Sequence, residues 1–199
     1  MRTRLETPIV AETTITSWRT EAAAVAMVIA GIAFLAARPF ALGATVSRTA
    51  LFATGYAMIG LASLSVACPA ERPTPSRASR PTALALGAAA VGLATVVVGA
   101  PVPAPWSGAT LPLAVLAAVA EEALFRRAAY GRLLRFGAPV AVAVSATLFA
   151  VVHVPAYGIA AFPVDLGAGL LLSWQRWASG TWTVPAATHV GANVLAVLR

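Results

Sequence analysis

After Glu71 the chain contains only three acidic residues, Glu121, Glu122 and Asp165, and both of its histidines, His153 and His189, fall in the same half. Their polar neighbours recur at helical spacing. Glu122 and Arg126, Phe149 and His153, and His189 and Asn193 are each four residues apart, so each pair shares one face of a helix. Glu122 and Arg126 can neutralise one another, which leaves Glu121 on a neighbouring face. Hydrolysis needs a base that takes a proton from water, and a carboxylate held within reach of that water can do so. Glu121 fits that role. A tetrahedral intermediate also needs donors aimed at its oxyanion, and an imidazole with a carboxamide one helical turn away can supply them. His189 and Asn193 fit that one. Asp165, near a helix start, reads as a cap. Tyr157, Phe162 and Trp174 read as packing or interfacial residues.

The elements that carry these groups are membrane helices. Of the 199 residues 59% are hydrophobic and 11% charged, and the apolar residues form long runs at 22–37, 49–70 and 82–100. Such runs approach or meet the roughly 20 residues needed to cross a bilayer. Polar groups inside such helices cost roughly 2.5–3.5 kcal/mol on insertion scales, so they ordinarily face a cavity and serve a purpose. Gly and Pro clusters divide the chain into seven expected helices, 21–38, 49–69, 82–100, 109–135, 138–155, 160–177 and 183–198. The fold class is therefore an all-α polytopic membrane protein. Its expected parts are a cytoplasmic tail at 1–20, N-terminal membrane helices at 21–110 and a helical catalytic core at 111–199.

The formal charge of +7 comes from 14 arginines without a lysine. Most of them sit at the ends of apolar runs, as topology signals do, and no basic stripe is interleaved with exposed aromatics, which argues against nucleic acid. Arg72, Arg77 and Arg80, then Arg132 and Arg135, then Arg176 all fall on one expected side. The positive-inside rule puts that side and the N-terminus in the cytoplasm. Arg38, at the end of a slightly short first run, is expected to snorkel to the opposite interface. Five tryptophans, Trp18, Trp106, Trp174, Trp177 and Trp182, land near expected interfaces. A single cysteine, Cys68, excludes an internal disulfide. Residues 1–20 lack the apolar core of a cleavable signal peptide.

Glu121-Glu122-x-x-x-Arg126, Phe149-x-x-x-His153 and His189-x-x-x-Asn193 stand in the order found in the CAAX-protease-and-bacteriocin-processing family, which includes the Ras-converting CAAX endopeptidases. The sequence resembles that family over about residues 112–199, including Ser-Ala-Thr-Leu-Phe before the His153 motif and Gly180 before the last helix. Residues 1–110 are similar only in being hydrophobic. The resemblance implies an intramembrane glutamate-dependent endopeptidase without a cofactor. Glu121 and His153 would activate water, His189 and Asn193 would hold the oxyanion, and Glu122, Arg126 and Phe149 would support them. Implied partners are membrane lipids and a membrane-associated protein or peptide substrate, and the implied location is the bacterial cell membrane. Arg127 departs from the family pattern, where glycine commonly follows the motif arginine.

Glu121 and His153 each lie about 14 or 15 residues from the cytoplasmic ends of their helices, or roughly 22 Å at 1.5 Å per residue. They are expected to meet at one depth. His189 counts to only about 9 Å on the same rise, so its helix must tilt or begin deeper. Three other readings use the same residues: a membrane chaperone or immunity protein that binds in this cavity, a transporter component, and a zinc peptidase with Glu121, His153 and His189 as ligands. The sequence lacks a His-Glu-x-x-His helix, a second membrane aspartate, a Gly-x-Ser-x-Gly elbow and repeated halves.

Overall fold

The computed structural model describes residues 10–42, 48–67, 76–97 and 110–198. Arg2, Arg4, Glu6, Cys68, Glu71, Arg72, the proline-rich 101–105 stretch and Trp106 lie outside them. Every regular element among the described residues is helical: α1 Val10–Leu42, α2 Arg48–Ala67, α3 Arg80–Val97, α4 Thr110–Glu122, α5 Tyr130–Leu133, α6 Ala138–Tyr157, α7 Phe162–Ser179 and α8 Thr183–Val197. Expected and observed elements coincide within a few residues, with two differences. α1 begins at Val10, inside the segment expected as a tail. The expected helix 109–135 is broken: a π-helical turn, Ala123–Ala129, joins α4 to α5, and a 3-10 turn, Leu134–Phe136, ends it.

Among the described residues four stretches are long and apolar enough to cross a membrane, Trp18–Pro39, Thr49–Ala67, Arg80–Val97 and Ala138–Tyr157. Together they make this an all-α integral membrane protein. The expected count of seven crossings is larger. The remaining helices are interrupted, carry charge or are short: α4 stops after 13 residues at the π turn, α7 contains Asp165 and Arg176, and α8 spans 15 residues.

Helix ends follow from glycine. Gly137, Gly158 and Gly180 are the positive-φ residues among those described, and Gly180 closes α7 in the left-handed region with its N–H on the Arg176 carbonyl. α6 and α7 pack most closely because small residues face each other, and a Cβ on Gly169 would come within 2.8 Å of the Ala146 carbonyl oxygen. Around this pair, α1 packs on α6, α4 on α8 and α2, and α3 on α7 and α8. The apolar core runs from Leu35, Met58 and Leu61 on the first two helices to Phe125, Phe149 and Leu172.

One end of the bundle collects the arginines. Arg132 pairs with Glu21 at 3.8 Å, and the Arg77 guanidinium lies 4.7 Å from the Trp177 ring centroid while the Arg77 and Ala78 N–H groups donate to the Ala178 carbonyl. Arg176, expected only to mark a helix end, is 8% exposed and buried. Its Nε donates to the Arg126 carbonyl at 3.0 Å and its guanidinium covers the Tyr130 ring. The π turn explains why. Widening a helix to i→i+5 bonding disturbs the carbonyl ladder, and the displaced oxygens must be satisfied from elsewhere. Ser145 on α6 bonds the Phe125 carbonyl at 3.0 Å and Arg176 on α7 bonds its neighbour, so two helices stitch the π turn in place.

Candidate active site

Glu121 and Glu122 end α4 immediately before the π turn, and consecutive positions on a helix point about 100° apart. Each therefore meets a different set of partners. Glu122 is completely buried, as is Arg126, whose NH1 lies 3.2 Å from Glu122 Oε1. Arg126 NH2 also donates to the Gly169 carbonyl at 3.2 Å, and the guanidinium lies 4.5 Å from the Phe149 ring centroid. The same Glu122 oxygen accepts from His189 Nδ1 at 3.0 Å. A carboxylate, a guanidinium and an imidazole from three segments thus meet in one buried cluster.

Glu121, 3% exposed, faces the other way. Its Oε2 lies 3.6 Å from His153 Nε2, too long for a direct hydrogen bond. His153 Nδ1 sits 2.7 Å from the Phe149 carbonyl four residues earlier. A carbonyl only accepts, so Nδ1 carries the proton, and a neutral ring then turns the Nε2 lone pair toward Glu121. Carboxylate and imidazole present two acceptors side by side. Arg38 NH1 takes the other Glu121 oxygen at 3.1 Å. That corrects the snorkelling expectation: Arg38 is turned inward on a carboxylate and its side chain is 18% exposed.

Aromatic rings hold the two imidazoles in relation. Phe149 stands between them, 4.5 Å from the His153 ring centroid and 5.6 Å from that of His189, and Phe125 packs edge-on against it at 5.7 Å. Tyr157 stacks on the outer side of His153, with centroids 5.9 Å apart and planes 11° from parallel. His189 reaches the depth of Glu122 even though it lies only one and a half turns into α8.

Residues 103–195 match the family model described as type II CAAX prenyl endopeptidase Rce1-like. The match covers 93 of the 199 residues, and over that segment the chain is similar to membrane-embedded CAAX-type endopeptidases. Comparison with curated proteins and with solved structures gives no match.

Within the matched segment, Asn193 lies on α8 one turn beyond His189, and its Nδ2 donates to the Ala114 carbonyl at 3.0 Å. One amide N–H thereby ties α8 to α4 and the second remains for another acceptor. Arg127, the departure from the family pattern, donates to the Val66 carbonyl in the last turn of α2 at 2.6 Å, so the extra side chain caps a helix of the N-terminal half. Asp165 does not cap α7. It is the fourth residue of that helix, whose first residues carry no side-chain cap, and Asp165 lies within electrostatic reach of Glu121, His153 and His189. Among the described residues no three or more His, Cys, Asp or Glu side chains are arranged to hold a metal ion, including Glu121, His153 and His189. Sequence reasoning missed Arg38, Tyr157 and Asp165 as members of the cluster. A charge beside proline at the end of an apolar run was the signal for Arg38.

Proposed function

We propose that this chain is an intramembrane endopeptidase that hydrolyses peptide bonds of membrane-associated proteins or peptides, using water activated by Glu121 and His153. The supporting observation is the pair of acceptors, Glu121 Oε2 and His153 Nε2, 3.6 Å apart with the imidazole tautomer set by the Phe149 carbonyl. One water molecule can donate a proton toward each acceptor, which orients its lone pair away from them and toward a carbonyl carbon. As the water attacks, Glu121 takes a proton and later delivers it to the leaving amine. The developing oxyanion would be met by the free Asn193 N–H and by His189 Nε2–H when both nitrogens of that ring carry protons, with Glu122 as the countercharge beside Nδ1. Glu122, Arg126 and Phe149 would hold this arrangement without touching the reacting atoms. The substrate would enter from the membrane, with the N-terminus of the protease and its arginine-rich end in the cytoplasm of a bacterial cell.

The test is cleavage of an internally quenched peptide with a farnesylated C-terminal CAAX sequence by purified protein in liposomes. Wild-type protein should cleave it, and Glu121→Gln, which keeps the side-chain shape but cannot accept the proton, should lose about 10²- to 10⁴-fold in kcat. Equal cleavage by the two proteins would overturn water activation by Glu121.

A further inference from the structure

We infer that Arg38 is a positioning residue for Glu121, so that the N-terminal helix α1 completes a site whose other groups all lie in the Rce1-like segment. The inference rests on the endopeptidase reading of Glu121 and adds a part that the segment 103–195 does not contain.

Arginine near the end of an apolar helix ordinarily extends along the helix to place its charge in the interfacial water. Arg38 does the reverse. Its NH1 lies 3.1 Å from Glu121 Oε1, 83 residues away in sequence, and only 18% of the side chain is exposed. α1 is brought there by packing on α6 and on the π turn that follows the glutamates. Leu35, three residues before Arg38 and on the same helix face, is fixed in the core with Leu124 and Phe149. The backbone that carries the guanidinium is therefore anchored one turn below it.

Two consequences follow for Glu121. The terminal torsion of a glutamate is broad and nearly two-fold, so packing alone aims a carboxylate poorly. With Arg38 on Oε1, the second oxygen is left directed at His153, where the proposed water is shared. Arg38 also supplies the countercharge that a carboxylate at membrane depth requires, since Arg126 is committed to Glu122. Glutamate 122 carries its partner on its own helix, at i+4. Glutamate 121 borrows one from across the bundle.

The experiment compares Arg38→Met and Arg38→Lys with wild type in liposomes, using the farnesylated quenched peptide and correcting rates for folded protein. A shift in the base's aim should lower kcat by about 10²-fold, the size expected for a misplacement near 1 Å, with KM nearly unchanged. Arg38→Lys should recover a large part of that loss. A purely structural role would lower the folded fraction and leave kcat of the remainder at the wild-type value, which would overturn the inference. A second reading needs no substrate: thermal unfolding of Arg38→Met, Glu121→Gln and the double variant. Coupled residues give a double variant less damaged than the sum of the two singles, and strict additivity would overturn the pairing. Failure of the wild-type protein to cleave the probe would overturn the endopeptidase reading alone, since the thermal cycle tests Arg38 independently.

Discussion

Glu121 and Glu122 are chemically identical, adjacent in the chain and each opposed to an imidazole and a guanidinium, yet their surroundings differ in kind. Glu122 accepts from His189 Nδ1 and is ion-paired with Arg126, within an interior where neither the carboxylate nor the guanidinium is exposed. Glu121 shares a gap of 3.6 Å with His153, at the edge of a group that includes the 64% exposed Tyr157. Glu122 is sealed in the interior, with Oε1 shared by His189 and Arg126 and Oε2 buried without a hydrogen-bond partner, whereas Glu121 keeps one oxygen beside a second acceptor at the margin of the cluster. A base must meet water and exchange a proton with it, whereas a scaffold must do neither. The difference arises from the helix itself, because a step of one residue turns the second glutamate toward α8 and leaves the first facing α1 and α6.

The sharpest way to break this comparison is to remove both acceptors of the open pair. Glu121→Gln and His153→Gln should each lower kcat by about 10²- to 10⁴-fold, and the double variant should be hardly slower than the worse single, because groups acting on one water act as a unit. Multiplicative losses in the peptide assay would mean that the two residues do separate work. His153→Gln should keep the wild-type unfolding temperature to within a few degrees, and Glu121→Gln should lower it by less than Glu122→Gln does, because Arg38 retains partial exposure when its partner is lost.

Glu122→Gln should behave in the opposite way. It leaves Arg126 fully buried beside a neutral amide, and breaking a buried ion pair from one side typically costs about 3–5 kcal/mol. The expected result is a protein that expresses poorly and melts early, with the surviving folded fraction losing less activity than Glu121→Gln does. A stable but inactive Glu122→Gln would exchange the roles assigned to the two glutamates.

Asn193→Ala tests the far side of the site. Losing one oxyanion donor is worth roughly 2.7–4 kcal/mol of the barrier in a known case, and the effect should appear in kcat. The contact with Ala114 adds a separate stability cost of about 0.5–1.5 kcal/mol, typical of one hydrogen bond. Urea or thermal unfolding beside the peptide assay separates the two. Stability loss with unchanged kcat would make Asn193 a tie between α8 and α4 and nothing more.

Local spacing made part of this arrangement readable in advance. The helices announced themselves as apolar runs ended by glycine and proline, and the pairing of Glu122 with Arg126 is an i, i+4 relation within one element. What was hidden depends on contacts between elements. Nothing in Ala-Leu-Phe-Arg-Arg-Ala-Ala distinguishes a π turn from an α turn; its partners Ser145 and Arg176 lie 20 and 50 residues away from the carbonyls they bond. Arg38 reads as an interfacial charge until α1 is packed on α6. Asp165 reads as a cap because its position near a helix start is visible in sequence and the histidines and glutamate facing it are not. The break in α4, the charges in α7 and the shortness of α8 set these three apart from the four long apolar helices, and the apolar residues around them mask this in the sequence.

The smallest expected effect belongs to Tyr157, at the margin of the open pair. Its ring lies parallel to that of His153 at 5.9 Å, but it is 64% exposed, so it covers the imidazole without enclosing it. An aromatic pair is worth about 0.5–1.5 kcal/mol beyond area burial, and an exposed one belongs at the low end. His153 retains two stronger constraints when the ring is removed, the bond from Nδ1 to the Phe149 carbonyl and the tilted contact with Phe149 itself. Tyr157→Leu should therefore lower kcat by less than about tenfold, the equivalent of 1.4 kcal/mol, while leaving stability unchanged. Tyr157→Phe should match wild type, since the ring and not the hydroxyl makes the contact. If the Phe variant instead falls as far as Glu121→Gln, the hydroxyl takes part in the proton movements, and the open pair would have to be redrawn as a group of three.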